Sequence, residues 1–144
     1  MKRILLAIGA VAIGVTAVVA QDAIATRKQL MKENGKEAKI GSAMVKGEAP
    51  FDLAKAKAVF AAYADSAGKM GALFPADSKT GGETTAAPKI WEAKADFDAK
   101  MVKFGEEAKA AGAATKDLDS FKANFGTVMR NCGGCHETFR IKKS

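Results

Sequence analysis

Residues 118–140 read LDSFKANFGTVMRNCGGCHETFR, and this stretch decides the fold. Leu118, Phe121, Phe125, Val128, Cys132, Cys135 and Phe139 step by three and four without a break, the spacing of one face of an α-helix. Set into that face is Cys132-Gly133-Gly134-Cys135-His136, a Cys-x-x-Cys-His run of the kind that attaches c-type haem. The spacing has a chemical reason. Two thiols on one helical turn can add to the two vinyl groups along one porphyrin edge, and the histidine that follows is placed to bind the iron. Cys132 and Cys135 are the only cysteines in the chain, and His136 is its only histidine. A structural zinc site wants four such ligands and finds three. A thioredoxin-like pair belongs beside a βαβ pattern, and no strand pattern lies nearby. A plain disulfide leaves the histidine without a role. One covalent haem c is the expected cofactor.

Three further helical segments precede this one. The first runs over about residues 22–46, with Ile24, Arg27, Met31, Ala38 and Val45 on one stripe and Gly35 and Gly41 weakening its interior. Pro50-Phe51-Asp52 opens the second, whose stripe is Leu53, Ala56, Phe60, Tyr63, Ala67 and Met70. The period then fails. Residues 73–87 carry Pro75, Gly81, Gly82 and several Ser and Thr, which reads as a long loop that spans the bundle end or shields the haem. Pro88 suits the first turn of a third helix, with Ile90, Trp91, Phe97, Met101, Phe104 and Ala108 inward and an end near Gly112. The fourth starts near Thr115 or Asp117. No stretch alternates with period two. The expected fold is therefore all-α, an antiparallel up-down-up-down four-helix bundle with covalently bound haem near one end. Phe60, Phe97, Phe121 and Phe125 fill its core. Tyr63 and Trp91 are large core residues whose polar ends reach a partner.

Residues 1–20 have the composition of a secretory leader. Met1-Lys2-Arg3 is a short basic start, residues 4–20 are uncharged and almost wholly apolar, and Val18-Val19-Ala20 leaves small residues at the exit. The mature chain then begins at Gln21, and residues 21–144 make one compact domain. Thioether attachment takes place outside the bacterial cytoplasm, so the expected location is the periplasm, with no membrane contact after cleavage. Losing Lys2 and Arg3 takes the formal charge from +7 to +5. That excess points to periplasmic redox partners with an acidic docking surface and a salt-dependent encounter. The lysines lack the clustering and aromatic interleaving that nucleic-acid binding needs.

Cys132-Gly-Gly-Cys-His136-Glu-Thr-Phe139-Arg140 at the end of the last of four helices resembles the class II cytochromes c, the cytochrome c′ family. The resemblance covers the whole mature chain. It includes Arg27 and Leu30-Met31, the Lys46-Gly-Glu-Ala-Pro50-Phe51-Asp52 turn, and Pro88-Lys-Ile-Trp91. It implies thioether bonds from Cys132 and Cys135 and proximal iron ligation by His136. It places Arg140 near the proximal face, one turn after His136, and Arg27 at a position that contacts a haem propionate in many members. The plain alternative for either arginine is a solvated surface charge. Many relatives pair through helices one and two, but Lys36, Lys39, Lys55 and Lys57 make those helices charged, so a homodimer stays an open expectation.

The sixth iron ligand is a methionine, a solvent or gas molecule, or nothing. Topology puts Met44 at the far end, Met101 near mid-bundle and Met129 on the haem-bearing helix itself. Met31 and Met70 are left at the correct end, and Met70 reads as packing. The resemblance sets Met31 over the open haem face. The run Leu30-Met31-Lys32-Glu33-Asn34-Gly35 looks like that of the family's low-spin, methionine-ligated members, and Gly35 could let the helix distort toward the iron. Ligation by Met31 is the favoured reading, and with it a one-electron carrier. The alternative is a five-coordinate high-spin cytochrome c′ that binds nitric oxide or carbon monoxide. A peroxidase needs a distal acid/base group. No spare histidine supplies one, and no catalytic residue is expected.

Overall fold

The computed structural model describes residues 13–141. Helices α1 (Ile13–Lys46), α2 (Leu53–Met70), α4 (Lys94–Ala114) and α5 (Leu118–Phe139) form the bundle, and a single turn, α3 (Lys89–Glu92), precedes α4. In cross-section α1 and α4 lie opposite each other, each packed between α2 and α5. Residues 1–12 of the expected leader lie outside the described residues. The first helix begins earlier than the expected residue 22, because the apolar residues before it continue the same helical backbone.

Each helix start has a local cause. Asp52 caps α2 by accepting from the Lys55 amide at 2.9 Å. Asp117 caps α5 within a capping box, accepting from the Ser120 amide at 2.8 Å while Ser120 Oγ accepts from the Asp117 amide at 3.0 Å. Such caps satisfy amides that the first helical turn leaves without partners. Of the two starts expected for the last helix, Asp117 is therefore the one used.

Two departures from expectation are set by packing. The helix expected to run unbroken from Pro88 is interrupted at Ala93, whose φ of −128° and ψ of 53° leave the helical region. Alanine favours helix, so the break is tertiary in origin. The Trp91 indole donates to the carbonyls of Phe74 and Pro75 at 3.0 and 3.1 Å, and Ile90 is buried, which anchors the turn independently of α4. Gly35 and Gly41 do not interrupt α1. Gly41 instead permits close approach, since a Cβ there would run into the Phe125 ring of α5.

The interior forms two clusters. One holds Met44, Phe60, Tyr63, Phe104, Phe121 and Phe125. The other, at the end where α5 finishes, holds Leu30, Met70, Phe74, Ile90, Phe97, Met101 and Phe139. Its rings stack edge-on, Phe97 lying 4.7 Å from Phe74 and 5.3 Å from Phe139. The expected core phenylalanines are all in one cluster or the other.

Residues 73–87 are held as a strap across this end. Ala87 donates to the Phe139 carbonyl at 3.0 Å and Ile141 to the Thr85 carbonyl at 2.8 Å, an isolated antiparallel bridge between the strap and the end of α5. Gly82, with φ of +56°, lies against Ile24 and Gln21 of α1, where a side chain would find neither the backbone conformation nor the room.

Candidate functional site

The last two turns of α5 carry Cys132, Cys135 and His136, all half-buried, with both cysteines as free thiols. They open on a cleft made of two cavities of about 490 and 400 Å³. Met31, Met70, Met101, Cys135 and His136 line both, so the two are halves of one space. Phe104 and Ala67 extend the first half and Phe74, Phe97 and Phe139 the second, giving an apolar lining.

Burial pushes the Cys132 and Cys135 thiols above their usual range, with the Lys100 charge opposing it at Cys135. Burial also lowers His136, and the charge of Arg140 adds to that effect. Arg140 is exposed and lines the second cavity beside His136, one turn away as their spacing requires. A neutral imidazole is the form that ligates a metal. Two thiols and such an imidazole within about one helical turn, facing a largely apolar cleft, fit a covalently held haem. Among the described residues no group of three or more His, Cys, Asp or Glu converges on a metal site of another kind.

Arg27 is not the surface charge that was its plain alternative. It is 4% exposed, and burial lowers its pKa. Nη1 donates to the Leu73 carbonyl and Ser78 Oγ at 3.0 and 2.9 Å; Nη2 donates to the Ser78 carbonyl and Thr84 Oγ1, both at 2.8 Å. Its guanidinium carbon lies 4.7 Å from the Phe74 ring centre and 5.8 Å from that of Trp91. Arg27 thus ties the strap to α1 while lining the second cavity. No carboxylate of the described residues pairs with it.

The methionines sort by burial. Met70 and Met101 are packed, at 2% and 7% exposed, whereas Met31 is 38% exposed at the cleft. Met101 is not at mid-bundle. Because α4 starts at Lys94, Met101 lies only about 10 Å along the axis from that end, and it reaches the cleft. Met129 lines the first cavity and accepts the Tyr63 hydroxyl at 3.6 Å. Tyr63 and Trp91 both find the polar partners expected of them.

Sequence reasoning missed two polar pairs in the first cavity. Asn34 Nδ2 donates to Ser66 Oγ at 2.9 Å, and Asn131 Nδ2 donates to Glu107 Oε2 at 2.6 Å. Asn34 lies one turn after Met31 on the same helix face, the signal that could have found it.

A four-helix bundle with a Cys-x-x-Cys-His site at the end of its last helix defines a class II c-type cytochrome. The chain belongs to the cytochrome c′ family, whose model, described as Cytochrome C', matches residues 22–140. It is 51% identical to a cytochrome c′ of Rhodopseudomonas palustris over 99% of this chain and 98% of that one. A solved structure of cytochrome c′ from Rhodopseudomonas palustris superposes with a TM-score of 0.83 at 53% identity, covering 85% of this chain and 98% of that chain. A cytochrome c-556 of the same species is 34% identical over 99% of both chains. A nitric oxide complex of a variant cytochrome c prime from Alcaligenes xylosoxidans has a TM-score of 0.73 at 30% identity, over 85% of this chain and 97% of that one. The family carries covalently attached haem c, and among the described residues no helix is long and apolar enough to cross a membrane.

Proposed function

We propose that this chain is a periplasmic one-electron carrier in which Cys132 and Cys135 hold the haem, His136 is the proximal ligand and Met31 the sixth. The observation that carries the reading is the contrast among the cleft methionines. Met70 and Met101 are consumed by packing, whereas Met31 stands part-exposed on the helix across the cleft from α5. The bound haem supplies the one-electron couple of its iron, and a histidine–methionine ligand pair sets that couple high. The apolar side chains of the cleft favour contact with the ring over contact with water. Arg27, a buried cation without a carboxylate partner, favours a haem propionate nearby and acts through its field, because four of its donors already serve the strap. Residues 1–20 support export, and the likeness to a cytochrome c-556 agrees with the carrier role.

The second reading is a five-coordinate protein that binds nitric oxide or carbon monoxide. It is favoured by the 51% identity to a cytochrome c′ and by the likeness to a structure recorded as a nitric oxide complex. Visible spectra of the haem-loaded protein, oxidised and reduced, with and without carbon monoxide, separate the two. A low-spin spectrum indifferent to carbon monoxide, turned high-spin by Met31→Ala, is expected. A high-spin wild-type spectrum that shifts at once with carbon monoxide establishes the gas-binding reading instead.

A further inference from the structure

Charge around the cleft is one-sided. The exposed cations Lys28 and Lys32 of α1, Lys100 and Lys103 of α4, and Arg130 and Arg140 of α5 all line it, and Glu107 is the single carboxylate among its lining residues. Only Lys103 has a carboxylate within ion-pair reach among the described residues, Glu107 at 3.6 Å. Glu107 is half-buried and also accepts from Asn131, so it serves Lys103 and leaves Lys100 and Arg130 of the seam to face solvent.

The two halves of the cleft divide these charges. Arg27, Lys28, Lys32 and Arg140 line only the second half, on the side where Arg27 favours a propionate. Lys100, Lys103 and Arg130 line only the first half, together with Cys132. Their positive field therefore lies beside the thioether attachment and away from the residue that favours the cofactor's own carboxylates.

We infer that the seam between α4 and α5 beside Cys132, marked by Lys100, Lys103 and Arg130, is the docking surface for a redox-partner protein presenting a cluster of carboxylates. The inference rests on the electron-carrier reading. Exposed ion pairs contribute little affinity singly, but a patch of one sign steers encounter and fixes orientation. Weak redox complexes bury little surface, so they suit such a patch. One electron crosses, no bond is made or broken and no proton moves; the partner is the oxidant in one direction and the reductant in the other.

The test uses the haem-loaded protein and two charge-reversal pairs of equal net charge. The seam pair is Lys100→Glu with Arg130→Glu. The control pair is Lys57→Glu with Lys122→Glu, both exposed, about 20 Å along α2 from Met70 and about 15 Å along α5 from Cys132. Stopped-flow oxidation of the reduced protein is followed with anionic hexacyanoferrate(III) and with cationic tris(phenanthroline)cobalt(III), each with and without poly-L-glutamate. At low ionic strength the seam pair should slow hexacyanoferrate about tenfold or more and speed the cobalt complex. The difference should close as salt rises. Poly-L-glutamate should slow the hexacyanoferrate reaction of wild type and of the control pair but not that of the seam pair. Equal slowing by both pairs, or no effect of poly-L-glutamate on wild type, overturns the assignment. Failure of the carrier reading looks different: a high-spin wild-type spectrum with slow exchange toward both complexes, which removes this surface along with it.

Discussion

Arg27 holds Ser78 twice, through the side-chain oxygen at 2.9 Å and through the main-chain carbonyl at 2.8 Å. Those bonds, with the ones to Leu73 and Thr84, fasten the strap over the haem end of the bundle. Arg27→Lys keeps the charge but cannot reproduce the fork. It should cost about 2–3 kcal/mol in denaturant unfolding of the haem-loaded protein, through acceptors left without donors. Hydrogen exchange should rise first at residues 73–87. Uniform loosening of the whole bundle would show that Arg27 does not act through the strap.

The three cleft methionines should behave differently. Met70→Leu and Met101→Leu conserve volume in a packed core and should each cost less than about 1.5 kcal/mol, with the visible spectrum unchanged. Met31→Leu should abolish the low-spin spectrum and lower the midpoint potential. Potentiometry on the three variants is the check. A changed spin state in Met101→Leu and none in Met31→Leu would give the ligand role to Met101.

Two glycines should respond with opposite signs. Gly41→Ala pushes a methyl into the Phe125 ring and should destabilise by about 1–3 kcal/mol. Gly126→Ala meets nothing within 4 Å and should stabilise α5 by up to about 1 kcal/mol. Thermal unfolding of both variants measures the difference.

Tyr63 couples stability to alkaline pH. Burial, and secondarily the charge of Glu37, raise its folded-state pKa. A raised phenol favours the neutral form in the folded state, so its contribution is complete below the unfolded pKa near 10 and is lost as pH rises above it. Wild type should therefore lose stability above about pH 10 more steeply than Tyr63→Phe. At neutral pH the two should differ by less than about 1 kcal/mol, since a thioether is a weak acceptor.

Much of the fold was legible because its signals are local. The stripe from Leu118 to Phe139 predicts a helix with one buried face, and Phe121, Phe125, Val128 and Phe139 are buried there. The break at Ala93 was not legible, because it answers to the Trp91 indole and two carbonyls from another segment. Nor was the use of the 73–87 loop. Its Ser, Thr and Gly content reads as a turn region, while the cation that organises it comes from α1.

By itself, the sequence determined the attachment chemistry and the helices that carry it. Cys132, Cys135 and His136 share one helical turn, so their relation depends only on the 3.6-residue period. What the tertiary structure alone decided is which side chains from other helices meet that turn. Met101 moved from mid-bundle to the cleft because α4 begins at Lys94, and Arg27, expected on the inner stripe of the first helix, is held there by the strap that closes over it. The period along one helix is intrinsic to the backbone. The axial register between helices is set by packing such as Gly41 against Phe125, where residues distant in sequence determine each other's position.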